Sequence, residues 1–357
     1  MKDLHGGNIY KFQREGKNDI LDYSSNINPL GVPQKFIDIA KENFDKLVNY
    51  PDPYYIELRK KIAEFNSVDM DNIIVGNGAT EILFLYIRAL KPKKVLILAP
   101  CFAEYERALK SVSAKIEYFE LKESDYFYPN IINLKKEIEN NNYDLLLFCN
   151  PNNPTGQFIK LEDIKEIIET CENKNTKIFI DEAFIEFIEN WKEKTVSLLK
   201  NKNIFIMRAF TKFFAIPGLR LGYGIGFDDE ILKKMWEEKE PWTVNTFANL
   251  AGLIMLDDKE YIEKTEKWIL EEKKFMYKEL SKFQNIKVYK TECNFILIKL
   301  SNITSESLRE KMIEKNILIR DASNFKFLDN HFVRLAIKDR KSNLKMMETL
   351  AEFVEYK

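Results

Sequence analysis

Five short apolar runs, Asn72 to Val75, Lys94 to Leu98, Tyr143 to Cys149, Lys177 to Ile180 and Asn203 to Met207, punctuate the middle of the chain. Stretches with helical period separate them, among them Thr80 to Leu90 and Leu161 to Asn173. A strand that is apolar throughout is buried on both faces, and such strands alternating with amphipathic helices make a mainly parallel sheet with helices on each side. The pattern changes near Glu240-Pro241-Trp242, after which Tyr261 to Phe283 reads as one long charged amphipathic helix. Beyond it, Ile286 to Tyr289, Asn294 to Leu300, Ile317 to Arg320 and His331 to Ile337 alternate with two further helices, a smaller α+β unit. The expected organisation is an N-terminal arm over residues 1–48 belonging to the small domain, a three-layer α/β large domain over 49–241, and a C-terminal small domain over 242–357.

At 357 residues the chain is long enough for two domains. Its 55 basic and 56 acidic residues leave a formal net charge of -1, so no global field favours nucleic acid or an anionic membrane, and the expected partner is a small molecule. No apolar run approaches the roughly 20 residues of a membrane-spanning helix. The N-terminal Met-Lys-Asp-Leu-His-Gly-Gly-Asn carries no apolar signal region, and the cytoplasm is the expected location. Cys101, Cys149, Cys171 and Cys293 form no C-x-x-C pair and read as free thiols. With only His5 and His331 available, no histidine-rich metal cluster is expected, and no G-x-S-x-G elbow marks a serine hydrolase.

Open α/β sheets bind ligands beyond the carboxyl ends of their strands, which makes the residues after each run the ones to weigh. After the first run, Gly76-Asn77-Gly78-Ala79-Thr80-Glu81 opens a helix, and a glycine turn at a helix N-terminus offers backbone N–H groups to a phosphate. Glu81 stands where a dinucleotide fingerprint needs its third glycine, which argues against a nicotinamide enzyme. Gly222-Tyr223-Gly224-Ile225-Gly226 reads as a turn or as tight strand packing. After the third run, Asn150 to Gly156 is too rich in prolines and amides to continue helix or strand. After the fourth comes Asp181, where an unpaired carboxylate would cost several kcal/mol and so calls for a cationic or protonated partner. After the fifth come Lys212 and Arg220, the second suited to bidentate phosphate binding.

Most lysines in so charged a chain only solvate a surface. One held in a desolvated cleft has a lowered pKa and can carry a covalent cofactor. An anion cradle, an amide donor, a buried carboxylate, a lysine and an arginine in one cleft are the parts that pyridoxal 5'-phosphate requires.

Over nearly its whole length the chain resembles the aspartate aminotransferase superfamily. The resemblance rests on Asn150 to Gly156, on Ile180-Asp181-Glu182-Ala183 and on the spacing from Lys212 to Arg220. It implies that Lys212 carries the cofactor, Asp181 pairs with the pyridine nitrogen and Asn153 bonds the phenolic oxygen. Ala79, Thr80, Thr211 and Arg220 would hold the phosphate and Phe102 would stack on the ring. Arg334 in Val333-Arg334-Leu335 matches a substrate-carboxylate clamp, and Tyr50 in Tyr50-Pro51-Asp52 matches a tyrosine that reaches the neighbouring subunit's cofactor, implying a homodimer. Other roles stay open: Phe102 in the core, Arg334 in an ion pair, Tyr50 in a turn.

Two branches compete. The His5-Gly6-Gly7-Asn8 lead, the stretch Ser24 to Gly31 with Asn28 at its centre, Thr211 to Gly218 and Arg320 to Phe325 look like threonine-phosphate decarboxylases of the cobalamin pathway. The alternative is a histidinol-phosphate aminotransferase. Phe184 favours the decarboxylase, since aminotransferases commonly carry there a tyrosine that donates to the phenolic oxygen. Ala209 departs from both branches, which usually have a hydroxyl residue three positions before the lysine. The substrate set is therefore His5, Gly6, Gly7, Asn28, Asn153, Arg320 and Arg334, for threonine phosphate or serine phosphate, with Gly6-Gly7 as a flexible lead or a backbone nest. A regulator on the same fold would need a DNA-binding segment, and no basic helix-turn-helix pattern precedes Tyr50.

Overall fold

The computed structural model describes residues 5–355. Seven strands build the large sheet: β1 Ile73–Asn77, β2 Lys94–Ala99, β3 Lys115–Glu120, β4 Leu145–Cys149, β5 Lys177–Asp181, β6 Ile204–Ala209 and β7 Leu221–Gly226. Their order is β1-β7-β6-β5-β4-β2-β3, and every neighbouring pair is parallel except those that β7 makes with β1 and β6.

Successive side chains on a strand point to opposite faces. Leu96, Leu98, Leu146, Phe148, Ile178 and Ile180 therefore share one core, while Val95, Ile97, Leu145, Leu147 and Phe179 pack on the other face. Helices Ala79–Leu90, Glu104–Lys110 and Asp229–Glu238 cover that second face, giving the expected three layers. All five expected strands form. Two more join them: β3, which no apolar run marks, and β7, where tight strand packing and not a turn is the reading that holds. In β3 the residues alternate in character and lie only half-buried or exposed at the sheet edge. In β7 the glycines are a packing requirement: a Cβ on Gly222 would lie 2.3 Å from Ala79 N, and one on Gly224 would lie 2.3 Å from Phe205 Cζ.

The C-terminal unit is an antiparallel sheet of β8 Ile286–Val288, β9 Phe295–Leu300, β10 Arg320–Asp321 and β11 Phe332–Ala336, ordered β10-β11-β9-β8. Helices Lys259–Leu280, Ser305–Glu314 and Arg340–Ala351 accompany it. The expected single strand Ile317 to Arg320 divides in two. Ile317–Leu318 pairs in parallel with Leu21–Asp22, while Arg320–Asp321 joins β11. That first pairing, with Ala336 N–H donating to Tyr23 O at 3.0 Å, ties the N-terminal arm to the C-terminal sheet. After the break at Glu240-Pro241-Trp242 the chain first makes the helix Thr246–Met255. That helix packs on Gln34–Lys41 and Ile56–Asn66, with Gly252 seated against Leu58 and Leu221. Among the described residues, no helix is long and apolar enough to cross a membrane.

Candidate active site

The carboxyl ends of β4, β5 and β6 and the turn after β1 open into one cavity of about 250 Å³. Asp181 is the last residue of β5 and is buried. Its Oδ2 accepts a hydrogen bond from the Tyr105 hydroxyl at 2.6 Å and its Oδ1 one from Ala183 N–H at 2.9 Å. Burial pushes its pKa up to about 6, opposed by those two bonds and by Lys212. A cation brought against the carboxylate would lower it again. One residue on, Glu182 meets Arg208 at 2.7 Å with both side chains fully buried, and Arg208 also donates to Thr195 and Asn66. This pair locks the ends of β5 and β6 together, and stripping a buried pair of one partner typically costs about 3–5 kcal/mol.

Lys212 lies three residues past the end of β6, in the short helix Phe210–Phe213. Burial, then the positive fields of Arg334 and Arg220, lowers its amine to about 8. Near neutral pH it therefore holds and releases a proton readily. Ala209, at the end of β6, lines the cavity with no hydroxyl to offer.

The glycine turn after β1 opens a helix, as the sequence predicts. Gly78 takes φ 79° as the N-cap of Ala79–Leu90, and no side chain caps that N-terminus. Arg220, itself at φ 59°, lays its guanidinium over the turn: a Cβ on Gly78 would fall 2.3 Å from Arg220 Nη2. Ala79, Thr80, Thr211 and Arg220 all face the same cavity.

The proline-rich turn after β4 divides its amides. Asn150 bonds Ile159 through both side-chain atoms and Asn152 bonds Pro100 O and Thr155, so these two build the turn. Asn153 instead faces the cavity, where its Oδ1 accepts from Arg334 Nη1 at 2.5 Å. Arg334 is buried, and its Nη2 donates to Ser24 O at 2.6 Å. Burial, with Arg320 adding repulsion, lowers its pKa to about 9. Its Nε is buried without a hydrogen-bond partner, as is Asn26 Oδ1 on the same cavity. A buried cation with an unmet donor is suited to a carboxylate ligand.

The N-terminal lead crosses the mouth. Gly7 N–H donates to Ser24 Oγ at 2.8 Å, and Gly6 lies so close to Ser24 that a Cβ on it would be 2.0 Å from Ser24 O. His5 Nε2 sits 2.8 Å from Glu104 Oε1, with its ring 5.4 Å from Phe102. Arg320 donates to Asp321 O and Asn324 Oδ1, each at 2.8 Å, and lines the cavity beside Phe325.

Of the expected site residues, His5, Gly6, Ala79, Thr80, Phe102, Asn153, Asp181, Thr211, Lys212, Arg220, Arg320 and Arg334 line the one cavity. Three do not. Gly7 borders an adjoining cavity of about 190 Å³. Asn28 is buried away from the cavity lining: its amide donates to Phe213 O and Thr265 Oγ1, each at 2.8 Å, and its N–H to Lys212 O at 3.2 Å. It anchors the lysine turn from behind. Tyr50 is 81% exposed and packs on Trp242, ring centroids 4.8 Å apart, outside the cavity of its own chain.

Tyr105, Ser24 and Glu104 were missed by sequence reading. Tyr105 lies three residues past Phe102, a helical step that could have placed both rings on one face. The contacts of Ser24 and Glu104 span 17 and 99 residues, beyond any local signal.

A family model for class I and II aminotransferases matches residues 18–351. The chain belongs to that family. Within it, the chain is 44% identical over 353 residues, 98% of its own length and 94% of the relative's, to a protein of Caldanaerobacter subterraneus subsp. tengcongensis provisionally named a threonine-phosphate decarboxylase. It is 34% identical, over 97% of this chain and 95% of the relative, to the threonine-phosphate decarboxylase of Salmonella typhimurium. A solved family structure, the histidinol-phosphate aminotransferase of Clostridium acetobutylicum, superposes with a TM-score of 0.88 at 38% identity, covering 93% of this chain and 98% of that one. The aspartate aminotransferase-like fold expected from the motifs is the fold found. The family name covers more than one outcome at the substrate's α-carbon, so the reaction follows from the site.

Proposed function

We propose that this chain is a pyridoxal-phosphate-dependent carboxy-lyase that converts an O-phosphorylated amino acid, threonine phosphate foremost and serine phosphate second, to CO2 and an amino-alcohol phosphate for cobamide synthesis. The observation that carries the reading is Lys212 and Asp181 lining one cavity together with Phe184, the position at which aminotransferases commonly carry a tyrosine. The similarity to threonine-phosphate decarboxylases supports it. The residues present fit the cofactor: a buried carboxylate with a raised pKa, an uncapped helix N-terminus roofed by Arg220, and a depressed lysine.

When bound, the cofactor acts as an electron sink for the bond broken at the α-carbon. Asp181 is the negative charge that keeps the ring nitrogen protonated. Arg334, through its unmet Nε and its fork held by Asn153 and Ser24, fixes the α-carboxylate. Arg320, paired across the strands with Arg334, and the His5–Gly6 lead line the same cavity and would receive the substrate phosphate, so both ends of the substrate are held. Which α-bond breaks is decided by that orientation. As the bond to the carboxylate breaks and CO2 leaves, Lys212 Nζ delivers the proton that takes its place. Phe184 stands edge-on to Phe295 at 5.1 Å and gives an apolar wall on that side.

We further propose a homodimer in which Tyr50 completes the partner's site. Phe44, Val48, Tyr50 and Trp242 are all exposed apolar residues, a patch suited to a partner. The limits at 48 and 241 are proposed as domain boundaries, and the cytoplasm as the location, supported by cysteines that are all free. The second reading, histidinol-phosphate aminotransferase, draws on the 38% identical structure. The test is a substrate panel of phosphothreonine, phosphoserine, threonine and histidinol phosphate plus 2-oxoglutarate, on wild type and K212A. Turnover of the phosphorylated amino acids alone, absent in K212A, supports the proposal; histidinol phosphate as the preferred substrate would replace it with the second reading.

A further inference from the structure

Glu81, the third residue of the helix Ala79–Leu90, places a carboxylate within one turn of the phosphate cradle. Its Oε2 accepts from Asn77 N–H, which fixes the end of β1 and the turn that leads into Gly78. As local bracing of a turn by a side chain this is ordinary. As electrostatics it is a liability, because a negative charge this near an anion site opposes the binding of a phosphate.

The opposing charge comes from far along the chain. Lys239 follows the helix Asp229–Glu238, and its Nζ lies 2.9 Å from Glu81 Oε1 with a side chain only 2% exposed. It also donates to Thr243 Oγ1 and sits 5.9 Å from the centre of the Tyr55 ring. Tyr55 is buried and its hydroxyl accepts from Val244 N–H at 3.1 Å, so the lysine is held from two sides. Screening by water is weak at the lysine end of the pair, while the Glu81 side chain is 18% exposed. Arg220, by contrast, is exposed, and it covers the other side of Gly78.

We propose that Lys239 is a positioning residue for the cofactor phosphate: it neutralises Glu81 so that Glu81 can brace the cradle without repelling the anion. This rests on the cofactor reading above. A purely structural ion pair makes a different prediction, because it would lose equally from removal of either partner. Charge compensation is asymmetric: removing the cation exposes the carboxylate to the phosphate, whereas removing the carboxylate's charge does not.

The test is equilibrium titration of the cofactor-free protein with pyridoxal 5'-phosphate, followed by fluorescence quenching, for wild type, K239M, K239R, E81Q and E81Q/K239M. The glutamine keeps an oxygen for Asn77 N–H. Expected are a dissociation constant at least roughly tenfold weaker in K239M, near wild type in K239R, equal or tighter in E81Q, and largely restored in the double variant. Should K239M not fold, E81Q alone still decides by its sign. K239M binding as wild type does, or E81Q weakening as much as K239M, would overturn the inference. A wild type that binds no cofactor would overturn the cofactor reading along with it.

Discussion

Replacing Asp181 with asparagine should stabilise the cofactor-free protein at alkaline pH while it abolishes function. The buried carboxylate's pKa rises from 3.8 to about 6. At 1.36 kcal/mol per pKa unit, keeping Asp181 ionised in the folded state costs roughly 3 kcal/mol at pH 8. Asparagine removes that cost but cannot accept both the Tyr105 hydroxyl and Ala183 N–H, a loss of about 1 kcal/mol. The net gain for D181N is therefore about 2 kcal/mol at pH 8. The sign follows from linkage: a raised folded-state pKa gives stability that is full below about pH 4 and is lost as pH rises through about 6. The advantage of D181N should thus vanish or reverse by pH 4. Urea unfolding of cofactor-free wild type and D181N at the two pH values measures it. At the same time the rate with bound cofactor should fall by roughly a hundredfold or more, as for loss of a preorganised charge at a reacting site. Equal destabilisation of D181N at both pH values would refute the claim that Asp181 is held ionised against its burial.

Three further outcomes are expected. Gly6→Ala should unseat the lead, because its Cβ would lie 2.0 Å from Ser24 O; the KM for phosphothreonine should rise about tenfold in steady-state assays while cofactor affinity stays unchanged. Arg334→Lys replaces a fork by a point charge and should raise KM by roughly ten- to a hundredfold with a smaller effect on cofactor binding, read from the same assays and a cofactor titration. Phe184→Tyr adds a second tyrosine hydroxyl to the cavity that Asp181 and Lys212 line, and should increase oxo-acid formation from phosphothreonine at least about twofold, measured by trapping the oxo acid.

Residues that strand ends position directly were legible in the sequence. Asp181 and Lys212 follow apolar runs whose β structure is set by composition, and Ala79 and Thr80 follow a glycine whose positive φ the turn requires. What composition did not specify was direction. Among Asn150, Asn152 and Asn153 only the last faces the cavity, and which amide does so depends on the fold of the turn. Asn28 looked equivalent to its neighbours, yet its partners Phe213 and Thr265 come from distant parts of the chain. The glycine-rich β7 reads from sequence as a turn or as tight strand packing, and the fold decides for the strand, because its neighbours fill the space its own side chains would take. Tyr50 lies outside the cavity of its own chain, and a second copy would be needed to bring it to a site.

The most direct measurement is the fate of the α-carboxylate. Wild-type protein loaded with pyridoxal 5'-phosphate and given carboxyl-labelled phosphothreonine, with no oxo acid present, should release one labelled CO2 for each amino-alcohol phosphate formed. Retention of the label in an oxo acid, with turnover only when 2-oxoglutarate is supplied, would contradict the assignment and make the chain an aminotransferase.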